Sequence, residues 1–128
     1  MAITNISITS VYVSDQDKAV DFYVNKLGFE KLQDQKFGYE TGSDVRWVEV
    51  APPGAETRIV LVKGFADWSE DKLGKNTGLA FNTTDTYATC EQLKARGVEF
   101  VEEPNSQPWG IQAQIKDQDG NTLVLVGT

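Results

Sequence analysis

At 128 residues, 40% hydrophobic and 24% charged, the chain has the size and balance of one globular domain, which excludes a disordered chain and a membrane span of ~18 apolar residues. Its net charge of −7, from 19 acidic and 12 basic residues, repels phosphate backbones and argues against a nucleic-acid partner. Histidine is absent and Cys90 is the sole cysteine, which excludes imidazole bases, imidazole metal ligands, Ser-His or Cys-His pairs and an internal disulfide, and makes a reducing cytoplasm the expected location.

Residues 1–5 carry neither a basic start nor an apolar stretch, so no signal peptide is expected. Val11-Tyr12-Val13-Ser14-Asp15 then leads into a helical stretch with apolar residues at 19, 20, 23 and 27. Ser14, three residues before Asp17, is the predicted N-cap. Gly28 stands where the helix must end, and a strand follows from Phe29-Glu30. Residues 45–51 and 57–62 read as strands joined through Pro52-Pro53-Gly54-Ala55 into a hairpin. Residues 63–76 form a polar connector with room for a helical turn.

The second half repeats this order. Leu79 to Asp85 precedes a helix with Ala88, Cys90 and Leu93, for which Thr84 is the predicted cap. Gly97-Val98-Glu99 ends it, and strands at 110–116 and 122–126 flank the turn Asp119-Gly120-Asn121. Ala19 and Ala88, Gly28 and Gly97, and Glu30 and Glu99 are each 69 positions apart. The expected fold is α+β, two βαβββ modules in a single domain over 1–128: module 1 at about 5–62, the connector at 63–76, and module 2 at about 77–127.

Several of these segments resemble the vicinal oxygen chelate superfamily, which includes glyoxalase I, extradiol dioxygenases, and fosfomycin and bleomycin resistance proteins. They are the Val11–Asp15 run, Ala19, Phe22-Tyr23, Leu27-Gly28-Phe29-Glu30, and the closing Asp117-Gln-Asp-Gly-Asn-Thr-Leu-Val-Leu-Val126. The resemblance spans essentially the whole chain. It implies a curved mixed sheet around a cavity, frequent dimerisation, and either metal-dependent chemistry or simple ligand binding.

Strand parity sorts the residues into two faces. Val11, Val13, Val48, Val50, Ile59, Leu61, Leu79, Phe81, Ile111, Ala113, Ile115, Leu123 and Leu125 are the expected core. The opposite face carries Ile8, Ser10, Tyr12, Trp47, Glu49, Arg58, Val60, Val62, Gly78, Ala80, Asn82, Gln112, Gln114, Val124 and Val126, a mixture suited to a binding surface. By resemblance, the metal-using members place one ligand on each of four strands of this face. Those places fall here at Ile8, about Val62, Gly78 and Val124, none of which can donate a lone pair from a side chain. No metal and no cofactor are expected.

Tyr12, Trp47 and Trp109 are candidate aromatic walls for a planar or cationic ligand, with dimer packing or simple cover as the alternative. Glu49 and Arg58 form either a cross-strand ion pair or ligand anchors, and Ser10, Asn82, Gln112 and Gln114 could orient a ligand. Trp68 suits the cavity mouth or a dimer contact, and Phe37-Gly38-Tyr39 could overhang the entrance. Cys90 reads as an inert core thiol. No phosphate-binding glycine loop, paired catalytic carboxylates or zinc-knuckle spacing is present. The expected function is binding of a small organic molecule, such as an antibiotic, by a homodimer. The alternative is a metal-dependent glyoxalase-like lyase or dioxygenase.

Overall fold

Residues 2–37 and 45–128 are described by a computed structural model, and they divide into two compact units, Met1–Leu73 and Gly74–Thr128. The first contains β1 (Ile8–Tyr12), a helix α1 (Gln16–Val20) continued by a π-helical stretch (Asp21–Lys26), β2 (Glu30–Phe37), β3 (Val45–Ala51) and β4 (Arg58–Val62). A short 3-10 turn at Glu70–Lys72 occupies the connector. The second contains β5 (Asn76–Thr83), α2 (Thr86–Ala95), β6 (Phe100–Gln107), β7 (Gly110–Lys116) and β8 (Thr122–Gly127).

Each unit folds its strands in the same order. The sheets run β1-β4-β3-β2 and β5-β8-β7-β6, and in both the first strand pairs in parallel with the last while the remaining neighbours are antiparallel. Two βαβββ modules of an α+β fold are therefore present. The turn at Pro52 closes with the Ala55 N–H donating to the Pro52 carbonyl.

One face of each sheet is covered by its helix. Val11, Val13, Val48, Val50, Ile59 and Leu61 are buried with Ala19, Phe22 and Tyr23 in the first unit. Ala113, Ile115, Leu123 and Leu125 are buried with Cys90, Leu93 and Val98 in the second. Leu79, Phe81 and Ile111 are only half-buried, so the expected core is too generous there. Leu79 lies on β5 at the sheet edge, where one flank lacks a neighbouring strand within the unit.

Both helix starts lie one residue beyond the expected caps. Asp15, not Ser14, caps α1 by accepting from the Lys18 N–H, and Asp85, not Thr84, caps α2 by accepting from the Ala88 N–H. The following residue explains the choice. Gln16 and Thr86 are both buried and bond back to strand carbonyls, Gln16 through Nε2 to Arg46 and Leu61 at 2.8 and 2.9 Å, Thr86 through Oγ1 to Ile111 at 3.0 Å. Helix phase is set by these anchors, and the aspartates fall at the cap as a result.

The two caps are 70 positions apart, whereas the helix-ending glycines, Gly28 and Gly97, are 69 apart. The extra residue in the first module is taken up by the π-helical stretch, in which the Leu27 N–H donates to the Phe22 carbonyl five residues back. Ala19 therefore corresponds to Thr89 rather than to Ala88: their N–H groups donate to Asp15 and Asp85, respectively, at 3.0 Å. Gly28 and Gly97 adopt φ of +80° and +82°, the left-handed helix end that their spacing predicts.

Cys90 is 1% exposed, and burial pushes its thiol pKa up, with Lys94 opposing weakly. Its reaction with an aromatic disulfide reagent is expected to be slower in the native protein than in urea by at least on the order of 100-fold, because attack must await local opening. Equal rates would place the thiol at the surface.

Candidate functional site

The strand registers determine which side chains share a face. In the first unit, one row across the sheet reads Ser10, Val60, Glu49, Gln33, because each is the cross-strand partner of the next. Tyr12 pairs with Val62, Trp47 with Gln35, and Ile8 with Arg58 on the same side. Ser10, Tyr12, Trp47, Glu49 and Arg58 are therefore brought onto a single face, as their parity predicts. Val60 and Val62 are fully buried on that face, which departs from the expectation of an open surface.

Part of the cover comes from the connector. The Phe65 ring stacks on Trp47, with centroids 5.9 Å apart and planes at 28°, and meets Phe37 edge-on at 5.0 Å. The Tyr12 hydroxyl donates to the Ala66 carbonyl at 3.3 Å, and Trp68 Nε1 donates to the Val13 carbonyl at 2.9 Å. Lys63 Nζ sits 4.2 Å from the centre of the Trp68 ring. Trp68 is thus pinned to the start of its own unit. Gly38 and Tyr39 of the expected flap lie outside the described residues.

Glu49 is the electrostatic centre of this face. It is only 7% exposed, accepting from Trp47 Nε1 at 2.6 Å and from Arg58 Nη1 at 3.1 Å. The two bonds use both carboxylate oxygens and satisfy a buried charge with an indole and a guanidinium. Arg58 is half-exposed, with its remaining donors available to an anion. The pair is a structural ion pair that also fixes the plane of the Trp47 ring.

The second unit presents a face of amides. Its rows read Asn82, Val126, Gln112, Asn105 and Ala80, Val124, Gln114, Glu102. Trp109 is 63% exposed, and its Nε1 donates to Gln112 Oε1 at 2.8 Å, while Gln112 Nε2 donates to Glu102 Oε1 at 3.1 Å. Asn82, Gln112 and Gln114 share this face, and Trp109 joins it through Gln112.

Sequence reasoning missed Gln33, Gln35, Phe65, Glu102 and Asn105. Gln33 and Gln35 follow from the pairing of β2 with β3. Glu102 and Asn105 share a face although an odd interval separates them, because β6 carries register shifts around Pro104.

At the four places expected by resemblance for metal ligands, no side chain offers a lone pair. Ile8 and Val124 offer hydrocarbon, Val62 is buried, and Gly78, at φ +73°, has no side chain. Among the described residues, no group of three or more Cys, Asp or Glu side chains is placed to hold an ion. Nor is any helix among them long and apolar enough to cross a membrane.

Two βαβββ modules with these registers define the glyoxalase-like class of α+β proteins. A profile of the Glyoxalase/Bleomycin resistance protein/Dioxygenase superfamily matches residues 5–125, and the chain belongs to that superfamily. It is 42% identical to TnmS3, an antibiotic binding protein from Streptomyces sp. CB03234, whose crystal structure it matches with a TM-score of 0.85 over 99% of this chain and 98% of that one. It is 41% identical to the uncharacterized protein YetH of Bacillus subtilis, over 96% of this chain and 98% of that protein. A probable lactoylglutathione lyase of Synechocystis is 30% identical, over 94% and 92% respectively.

Proposed function

We propose that this protein binds a small organic molecule with a flat aromatic system without using a metal, holding the ligand rather than transforming it. The observation that carries the reading is the set Ile8, Val62, Gly78 and Val124, hydrocarbon or no side chain where metal-using members of the superfamily place ligands. On the first unit, Trp47 and Tyr12 supply stacking surfaces; on the second, taken by itself, Trp109 supplies a ring and Gln112, Gln114 and Asn82 hydrogen-bonding amides. Ser10, Glu49 and Arg58 complete the polar part of the set. The likeness to an antibiotic binding protein supports a sequestering role, and the net charge of −7 favours a cationic compound. The same reading has the protein acting in the cytoplasm as a homodimer.

The likeness to a probable lactoylglutathione lyase favours a second reading, a metal-dependent lyase. Calorimetric titration with Zn²⁺, Ni²⁺ and Mn²⁺, together with an assay for turnover of the methylglyoxal hemithioacetal, separates the two. The expected result is no single-site binding at micromolar concentration and no turnover. Stoichiometric micromolar affinity accompanied by turnover would sink the binding reading.

A further inference from the structure

We infer that the Phe65 ring is an internal stand-in for the ligand: it occupies the stacking place on Trp47 that a flat aromatic ligand takes over when it binds. The inference rests on the ligand-binding reading above and adds a named contact and a competitor to it.

Three observations converge. Phe65 stacks on Trp47 at 5.9 Å between centroids, with Phe37 edge-on to both rings at 5.0 and 6.4 Å, so three rings form one aromatic slot. A ring inserted between Trp47 and Phe65 would need their planes about 7 Å apart, twice the ordinary carbon contact distance. The observed separation leaves no such space, so a ligand stacking on this face of Trp47 must displace Phe65. Next, Phe65 belongs to the connector rather than to the sheet. It opens a four-residue turn, closed by the Trp68 N–H donating to the Phe65 carbonyl, and Gly64 precedes it at φ +78°. Last, Ala66 and Asp67 are held at φ of +49° and +67°, a left-handed region that Asp tolerates but that is sterically costly for Ala66. Release of the turn relaxes Ala66.

The geometry defines how the displacement proceeds. Trp68, bonded to Val13, marks the fixed end of the turn, and Gly64 marks the other. Between them, the Tyr12 hydroxyl to Ala66 carbonyl contact at 3.3 Å and the Lys72 to Asp67 ion pair at 2.8 Å hold the turn down. Both are polar, solvent-reachable contacts that exchange readily with water. Trp47 itself stays oriented, because its Nε1 remains bonded to Glu49, which Arg58 holds in turn. The ligand meets a prepared surface and pays only for the departure of Phe65, so its apparent affinity is reduced by the fraction of molecules in which Phe65 is in place.

The test uses proflavine, a planar cationic tricycle, titrated into the full-length protein and followed by dye anisotropy, with folding of each variant checked by circular dichroism. Phe65→Ala is expected to bind the dye about 3- to 10-fold more tightly than the wild type, the range of one aromatic pair contact. Phe65→Leu, which keeps apolar bulk if Phe65→Ala fails to fold, is expected to shift in the same direction, and Trp47→Leu is expected to abolish binding. Folded Phe65 variants that bind as the wild type does, or more weakly, overturn the inference and leave the ligand-binding reading standing. Binding by Trp47→Leu equal to that of the wild type overturns the inference as well. Absence of binding to every protein, wild type included, overturns both.

Discussion

Replacing Asn121 with Ala is expected to lower stability by about 3–5 kcal/mol, a large part of what a domain of this size has to spare. Asn121 is 2% exposed and faces both ways across the β7–β8 turn. Its Oδ1 accepts from the Gly74 and Lys75 N–H groups at 2.9 and 3.3 Å, and its Nδ2 donates to Asp117 Oδ2 at 2.9 Å. The other oxygen of Asp117 accepts from the Asp119 and Asn121 N–H groups at 2.9 and 3.0 Å. Truncation therefore removes two acceptor contacts from the chain entering β5 and one donor from a carboxylate that is itself only 6% exposed. The Asp117 carboxylate so deprived is buried, where such a loss costs about 1–3 kcal/mol, and the part-buried Gly74 and Lys75 N–H groups add to it. Urea unfolding followed by tryptophan fluorescence measures the change, and a loss below about 1 kcal/mol would mean that water replaces the amide without penalty.

Arg46 is the second such point. Its guanidinium grips Asp34 with two bonds, Nε to Oδ1 at 3.0 Å and Nη2 to Oδ2 at 2.6 Å, and reaches Asp17 at 2.8 Å. These contacts tie β3 to β2 and to the start of α1. The Arg46 hydrogen bonds hold the Asp34 carboxyl below the usual carboxylate range against the opposing effect of burial, and Asp34 in turn raises Arg46. The pair is about one-fifth exposed, so solvent screening trims its contribution, and Arg46→Ala is expected to cost about 2–3 kcal/mol at neutral pH. A carboxyl lowered in the folded state stabilises fully above its unfolded pKa of about 4 and loses that contribution as pH falls through the folded value. The difference between Arg46→Ala and wild type is therefore expected to be largest above about pH 5 and to shrink below pH 4. Parallel unfolding curves at pH 7, 5 and 3 check it, and a difference independent of pH would assign the effect to lost packing.

What was legible in the sequence was whatever local chemistry dictates. β7 spans the expected 110–116, and β3 and β4 lie within a residue of expectation, because β-branched alternation and the Pro52-Pro53-Gly54 break are strictly local signals. The helix ends were legible through Gly28 and Gly97 for the same reason. The caps were not, since Ser14-Asp15 and Thr84-Asp85 each offer two competent capping side chains in succession. Only the burial of Gln16 and Thr86 against strand carbonyls decides between them, and that is a tertiary fact. Likewise the Glu49 to Arg58 pair followed from hairpin parity, whereas the stacking of Phe65 on Trp47 depends on how a polar connector folds back. The amide face was half legible: Gln112 and Gln114 sit on a regular strand, while Glu102 and Asn105 are re-aimed by an irregular one.

The widened turn at Asp21–Lys26 explains how the two halves differ in length by one residue and still share one strand order. One residue added to a regular helix rotates everything beyond it by about 100°, which would swing the exit toward solvent and misdirect the next strand. Here the widened turn takes up the additional residue, so that Gly28 still ends the helix and β2 follows it as β6 follows Gly97. The one-residue difference in length is absorbed locally, and the two sheets keep the same strand order where a fixed-interval comparison of letters loses step.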